Sequence, residues 1–342
     1  MTQRPRPISV RPVHTEPQVH FERAAFATVV ATAHEEDEFY AARVFPEDDV
    51  VPVLVRAVQD PGSTTGWASN LAQQATGAFL ASLAPQSAAS ALMSRGIEVD
   101  LARFLQVTLP GRSGTPNQLP WVGEGQPIPV SRGAMTGTVI KTKKMGVIFA
   151  FSSELAKRSS SQDAFNALLR EAAAYSLDAG YFSADAGDDV THQGLLYGVS
   201  TTPTTGDMTD DLGALAVAAA AGGSGQVVFV TGPGRSATIS VRSPNFKIPV
   251  LPSLAVPEDR VIAVDPLSLA HAVGGEPEFS ASNAALLHMD DDPQQIVESG
   301  VAAAPTRSLY QTDSIALSCL LDVGFNTRRS GAVAFMDGVY GW

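Results

Sequence analysis

Cysteine is almost missing from this chain, and so are long apolar runs. Cys319 is the single cysteine among 342 residues, which rules out an intrachain disulfide and a cysteine-based metal site. No stretch of about 18 apolar residues could cross a membrane. The segment from Met1 to Pro17 carries arginine and proline where a signal peptide would carry an apolar region. These absences predict a soluble protein that suits the cytoplasm.

Positive charge is also scarce. The chain has 23 Lys and Arg against 35 Asp and Glu, for a formal net charge of -12. Sequence-independent binding to phosphates needs clustered basic residues, so this balance argues against a nucleic-acid clamp. Only 17% of residues are charged, as in a subunit that buries much of its exterior against neighbours. The length exceeds the roughly 250–300 residues of a single core and predicts two or more sub-domains.

Catalytic and cofactor motifs are missing as well. The six histidines are scattered, with no His-Glu-x-x-His pair, and no Gly-x-Ser-x-Gly turn occurs. Cys319 lies in an alternating strand pattern that predicts a core position. The run 232–236 has two glycines that could face an anion, but Pro233 removes one amide. The three carboxylates of 290–292 predict a solvent loop rather than a cation site. We therefore expect no catalytic, cofactor or metal site.

The region 118–152 has the pattern of a projecting hairpin. Val139 and Ile140 are strand formers, and 147–151 is a second such stretch. Lys141, Lys143 and Lys144 lie between them. An ordinary surface hairpin whose lysines guard an edge has the same pattern. The segment that follows favours the projecting arm.

A long amphipathic helix follows the arm. The polar run 159–163 can cap its start, and the apolar spacing continues for about four to five turns. The residues predicted to face the core are Phe165, Leu168, Leu169, Tyr175 and Phe182.

Further strands and one helix are predicted after this point. A helix is expected over 210–221, and a strand is expected near 227–230. Apolar residues occupy every second position from 315 to 325, which is typical of a strand. A turn at 328–331 leads into a second strand at 332–335. We predict that these last two strands form a hairpin.

The order of these segments along the chain is similar to that of a known protein family. It begins with Trp121-Val122-Gly123-Glu124-Gly125-Gln126-Pro127-Ile128-Pro129 and the lysine-bearing arm, followed by Ser153-Glu154-Leu155 at the start of the long helix. Gln193-Gly194-Leu195-Leu196-Tyr197-Gly198 and Pro249-Val250-Leu251-Pro252 come later in the same order. Together they resemble the major capsid proteins of tailed bacteriophages, which have the Hong Kong 97 fold.

The resemblance implies an α+β fold in six parts. These are an N-terminal tail with a short helical scaffold-like segment (1–61), an N-terminal arm and the start of the peripheral domain (62–117), an E-loop (118–152), a peripheral domain with a spine helix (153–197), an axial domain (198–304) and returning peripheral strands (305–342).

The resemblance also implies a function. The chain would assemble with itself through pentamers and hexamers into an icosahedral head that encloses double-stranded DNA. Its partners would include a portal and separate scaffolding or decoration proteins. The protein would form in the bacterial host cytoplasm and end in the virion. The residues expected at subunit contacts are Trp121, Glu124, Lys141, Lys143, Lys144 and Met145.

Some members of the family crosslink their shells through a lysine of the E-loop and a distant asparagine. Here 126–132 contains no lysine and 306–313 contains no asparagine, so we expect non-covalent assembly. Two other functions remain open from the sequence. An encapsulin uses the same fold to enclose cargo enzymes, and a soluble α+β hydrolase or binding protein would be monomeric.

Overall fold

A computed structural model of the chain describes residues 17–34, 43–48, 50–57, 76–101, 106–112, 121–122, 124, 135–156, 161–221, 224–289, 297–298, 301–302, 305–339 and 341–342. Helices account for 34% and strands for 30% of the structure. The predicted α+β class is confirmed.

The helices include α1 Pro17–Ala33, α2 Val51–Ala57, α3 Ala88–Met93, α4 Ser153–Ala156, α5 Ser161–Tyr181, α6 Met208–Ala221 and α7 Pro233–Arg242, and residues 76–82 are also helical. The strands are β1 Ile97–Asp100, β2 Gln106–Arg112, β3 Met135–Lys141, β4 Lys143–Ser152, β5 Val228–Thr231, β6 Val250–Pro252, β7 Val261–Val264, β8 Leu269–Ser282, β9 Leu286–His288, β10 Val297–Glu298, β11 Val301–Ala302, β12 Thr306–Ser308, β13 Ser314–Thr327 and β14 Val333–Met336.

The first sheet has the strand order β1-β8-β13-β4 and forms the centre of the larger core. Strand β13 pairs antiparallel with β4 on one side and with β8 on the other. The side chains of Leu317 and Leu321 are buried, because successive residues of a strand point to opposite faces and this face meets the core. The predicted hairpin between 315–325 and 332–335 is wrong, since β13 pairs with β4 and β8 and the later strand joins another sheet.

The long helix α5 packs on this sheet, but not with every predicted side chain. Phe165, Leu169 and Phe182 are buried as expected. Leu168 is 49% exposed and Tyr175 is 55% exposed, so their predicted place in the core is wrong for the single subunit. The helix carries two apolar faces, and periodicity alone could not tell which one meets the core.

Helix α1 belongs to the same core. The ring of Phe21 stacks on that of Phe79 with centroids 4.1 Å apart and meets Phe279 of β8 edge-on at 4.9 Å. The predicted scaffold-like segment is therefore corrected for 17–33, which is an integral part of the fold. Residues 1–16, predicted as an extended tail, lie outside the described residues.

The second sheet has the order β14-β7-β5-β6 and its own core with α6 and α7. Strand β14 pairs with β7 near the end of the chain, whereas β8 has already returned to the first sheet at Leu269. The predicted boundaries 198–304 and 305–342 thus do not follow the sheets. The alternation of apolar and polar residues and the turn residues predict individual strands. They do not predict which strands pair, because pairing depends on residues far apart in the chain.

One buried carboxylate joins three parts of the fold. Asp178 of α5 accepts hydrogen bonds from the hydroxyl of Ser87 at 2.6 Å and from the amides of Ala88 and Ala89, at the N-terminus of α3. It also accepts a hydrogen bond at 2.6 Å from the hydroxyl of Ser253, which follows β6 of the second sheet. Burial raises the pKa of Asp178, and these four donors oppose that rise.

Candidate interaction site on the arm

A two-stranded ribbon packs beside the first sheet. Strands β2 and β3 pair antiparallel from Gln106↔Lys141 to Arg112↔Met135. The ribbon includes Gln106–Arg112, which precedes the predicted E-loop 118–152, while Lys143–Ser152 within that range belongs to the first sheet; the E-loop boundary stays a prediction. We call the paired strands Gln106–Arg112 and Met135–Lys141 the arm, and its base is the end at Gln106 and Lys141. Trp121, Val122 and Glu124 come between these two strands in the chain.

A glycine allows the arm base to meet β13. A Cβ built on Gly324 would lie 2.4 Å from the carbonyl oxygen of Lys141 and 3.3 Å from the side chain of Ile140. Ile140 is fully buried in a small cluster with Leu101 and two alanines of β8. Because Gly324 has no side chain, the arm base can pack against the sheet.

Two side chains beyond Gly324 bind the arm backbone. Asn326 donates from Nδ2 to the carbonyl of Val139 on β3 at 3.0 Å. Arg328 donates from Nη2 to the carbonyl of Pro110 on β2 at 3.2 Å. Both strands of the arm are thus anchored to the end of β13.

The loop after α5 forms the other side of the base. Lys143 donates from Nζ to the backbone carbonyls of Asp188 and Asp189. Asp188 accepts bonds from the amides of Thr191 and Val190 and from the Thr191 hydroxyl, and these donors lower the pKa of Asp188. A cavity of about 490 Å³ opens between this loop, the arm base and β13.

His192 connects this loop to β13. Its Nε2 accepts the backbone N–H of Phe325 at 3.3 Å, and its ring stacks on that of Phe325 with centroids 4.0 Å apart. Nδ1 lies 2.8 Å from the carbonyl of Gln193, so a neutral ring protonated at Nδ1 satisfies both contacts. Burial lowers the pKa of His192.

The six predicted contact residues separate into two groups. Trp121 and Glu124 come between the two strands of the arm in the chain, and both are exposed. Lys141 and Lys144 are exposed at the base, and Lys143 and Met145 are half-buried there.

The base lysines also have partners within the subunit. Lys143 holds the loop after α5, and Lys144 forms an exposed ion pair with Glu278 at 3.2 Å. Exposed pairs contribute only about 0–1 kcal/mol, so Lys144 remains able to meet a second carboxylate.

The candidate anion site at 232–236 is occupied by the protein itself. The carboxylate of Glu258 accepts from the amides of Gly234 at 2.9 Å and Arg235 at 2.7 Å. These are the donors that a phosphate would need. The carboxylates of 290–292 lie outside the described residues.

Searches for other sites gave no candidates in the described part of the chain. Within the ranges given above, no group of three His, Cys, Asp or Glu could hold a metal ion. Across the same residues, no helix is long and apolar enough to span a bilayer.

Sequence reasoning missed the residues that anchor the arm. Gly324, Asn326, Arg328 and His192 come from two distant segments and contact the arm only in the folded chain. One signal was present: Gly324 interrupts the apolar and β-branched pattern of a strand, which often marks close backbone approach.

Comparison with known proteins gave structural matches only. No protein-family model and no curated protein sequence matches this chain. A structure from Mycobacterium phage Bobi is similar to it, with 14% identity, a TM-score of 0.48, and coverage of 74% of this chain and 91% of the other. The capsid of a native GTA particle is similar at 12% identity and a TM-score of 0.48, covering 75% and 90% of the two chains. The procapsid of satellite phage P4 is similar at 9% identity and a TM-score of 0.46, covering 75% and 88%. No residue's role is carried over at these identities.

Proposed function

We propose that this chain is the major capsid protein of a tailed phage or prophage. It has a structural role and no catalytic one. Copies assemble through pentamers and hexamers into an icosahedral shell that encloses double-stranded DNA. A portal and separate scaffolding or decoration proteins would complete the head, which assembles in the host cytoplasm.

The anchored arm is the observation that carries this proposal. Its base is fixed to the sheet by Gly324, Asn326 and Arg328, while Trp121, which comes between its two strands in the chain, is 103% exposed. Burial of this large aromatic side chain against another copy would be favourable.

Repeated weak contacts then suffice for a stable shell. An arm that meets a different surface on its neighbour forms a head-to-tail contact, and such contacts close into rings. Once a ring closes, each further contact is effectively intramolecular. The net charge of -12 fits a wall that encloses DNA without condensing it.

Electron microscopy of the purified protein tests the proposal. The chain is expressed alone and separated by size-exclusion chromatography, and the fractions are examined in negative stain. We expect closed particles or free pentamers and hexamers. A protein that stays monomeric at high concentration and high salt would contradict a shell role and favour a soluble enzyme or binding protein.

The contents of the particles distinguish the two shell functions. DNA inside particles from the native source supports a phage head, and a packaged enzyme supports an encapsulin. Denaturing gels of the shells should show single chains, because the residues for the family's covalent crosslink are absent from 126–132 and 306–313.

A further inference from the structure

The cavity of about 490 Å³ beside the arm base lies where the two sheets are connected. One wall is the arm base, and a second is the loop after α5 with the segment that continues to Val199. The third is the stretch from Phe325 to Val333, which leads from β13 of the first sheet into β14 of the second. Sites for small molecules have volumes of about 300–1,000 Å³. The cavity therefore has room for a small organic molecule and not only for a single inorganic ion.

The lining carries more positive than negative charge, although the chain as a whole has a formal net charge of -12. Lys141, Lys143 and Arg329 line the cavity, together with Asp188 and Asp189. The carboxylate of Asp188 already accepts three hydrogen bonds from its own loop. Lys143 donates to backbone carbonyls, which carry no net charge. Within the described part of the chain, Lys141 and Arg329 form no ion pair, so both remain able to meet an anion.

An aromatic ring lines the same cavity. Tyr197 is 48% exposed and belongs to the wall that follows the loop after α5. Gln193 and Thr327 add polar side chains to the lining. The planar bases of nucleotides stack on aromatic side chains whose faces are accessible. The cavity thus combines cations with a surface for stacking.

We propose that this cavity binds a nucleoside monophosphate, with the phosphate facing Lys141, Lys143 and Arg329 and the base lying against Tyr197. A phosphate monoester carries about two negative charges at neutral pH, and arginine and lysine are the side chains that bind such groups best. This inference goes beyond the proposed shell function and does not depend on it.

A ligand at this place would connect the arm to the joint between the two sheets. Lys141 belongs to the arm base, and Arg329 to the connection from β13 to β14. A molecule that contacts both restrains their relative movement. Because a ligand that binds only the folded chain stabilises it, the unfolding temperature should rise with ligand concentration. Hydrogen exchange in 139–143 and 325–333 should become slower.

Calorimetric titration of the purified full chain tests the proposal. The probes are dAMP, deoxyadenosine and inorganic phosphate, which separate the contribution of the base from that of the phosphate. We expect dAMP to bind at least about 10-fold more tightly than either of the other two. The absence of dAMP binding at about 1 mM, or equal affinity for dAMP and inorganic phosphate, would overturn the proposal.

Charge variants locate the phosphate. Lys141→Gln and Arg329→Gln each remove one cation from the cavity, and each should weaken dAMP binding by about 10-fold. Arg329→Lys keeps the charge and should lose less. Arg242→Gln is the matched control, because Arg242 is an exposed arginine in the last turn of α7, outside the cavity. If Lys141→Gln and Arg329→Gln bind dAMP as the unaltered chain does, the phosphate does not lie here and the proposal is wrong.

Two variants of Tyr197 test the position of the base. Tyr197→Phe keeps the ring and should retain dAMP affinity, whereas Tyr197→Ala should weaken it without changing the affinity for inorganic phosphate. Tyr310→Ala is the control, because Tyr310 is an 81% exposed aromatic outside the cavity. Unchanged dAMP affinity in Tyr197→Ala would contradict the stacking.

The same chemistry occurs in a free nucleotide and at the 5′ end of a nucleic-acid strand. Titration with a 5′-phosphorylated pentamer of deoxyadenosine distinguishes these sources. An affinity no higher than that for dAMP indicates a free nucleotide, and a higher affinity that Lys141→Gln abolishes indicates a strand end.

The shell function and this inference fail separately. A chain that binds dAMP but never forms particles would support the cavity as a nucleotide site and contradict the shell. A chain that forms particles but binds no dAMP would contradict the nucleotide site and leave the shell function in place.

Discussion

The carbonyl oxygen of Lys141 lies over the Cα of Gly324, so close that a Cβ there would be 2.4 Å from it. The added methyl group of Gly324→Ala should therefore displace the arm base from β13. We expect a loss of about 1–3 kcal/mol in the free energy of unfolding, measured by urea denaturation, together with reduced assembly. Gly213→Ala is the control, since nothing lies within 4 Å of its added Cβ on α6. Equal stability of the two variants would refute the close packing.

Asn326 and Arg328 should fix the direction of the arm and also contribute to stability. The variant Asn326→Ala, Arg328→Ala removes one hydrogen bond to each strand of the arm. We expect a loss of about 1–3 kcal/mol in total, because each bond contributes about 0.5–1.5 kcal/mol. Hydrogen exchange in 106–112 and 135–141 should become faster. Unchanged exchange in the arm would show that other contacts hold it.

Asp178 should be one of the most sensitive polar positions. Asp178→Ala leaves the hydroxyls of Ser87 and Ser253 and two amides without their acceptor in a buried site. We expect a loss of about 3–5 kcal/mol, as for other buried polar groups that lose a charged partner. Thermal unfolding measures this loss. Asp210→Ala, at an exposed position of α6, provides the comparison and should change stability far less.

Acid should weaken the arm base through His192. Burial lowers its pKa in the folded protein below the ordinary value of 6.5. The unfolded chain therefore binds more protons, and stability falls as the pH drops below about 6.5 until the folded pKa is reached. A proton on Nε2 would also oppose the Phe325 amide.

His192→Asn should make stability less dependent on pH between about 7 and 5. Burial also lowers the pKa of His271, so adding His271→Asn should flatten the dependence further. Denaturant midpoints across this range give the measurement. If neither substitution changes the slope of stability against pH, the lowered pKa values of His192 and His271 would be contradicted.

The N-terminal helix should be required for folding. Phe21 is fully buried between Phe79 and Phe279, and Phe21→Ala should cost about 3–5 kcal/mol. Val217→Ala, at a 71% exposed position, should have little effect. A Phe21→Ala protein as stable as the unaltered chain would contradict a core role for 17–33.

Local elements were predictable to the extent that short-range chemistry fixes them. The predicted helix 210–221 corresponds to Met208–Ala221, and the strand expected near 227–230 corresponds to Val228–Thr231. Strand pairing was not predictable in the same way: 332–335 was expected beside 315–325 and pairs instead with Val261–Val264. Alternation predicts that a segment is a strand but does not identify its neighbour.

The candidate site shows the same division. The sequence identified Trp121 and the lysines at 141, 143 and 144. Trp121 stands in a glycine- and proline-rich segment, and the lysines lie between strand-forming residues, so both patterns can be recognised from the sequence alone. It did not identify Gly324, Asn326 or His192, whose roles depend on segments far apart in the chain meeting at the arm base.

The sequence alone determined the long helix and the strand-forming character of the stretches at 139–140 and 147–151, because hydrophobic period and turn residues act over a few positions. Only the tertiary structure decided which strands pair, where the arm is anchored and which face of α5 is buried. Leu168 and Tyr175 have the spacing of core residues and yet remain exposed. The hydrophobic effect favours burying an apolar face but does not specify whether the same chain or another copy covers it.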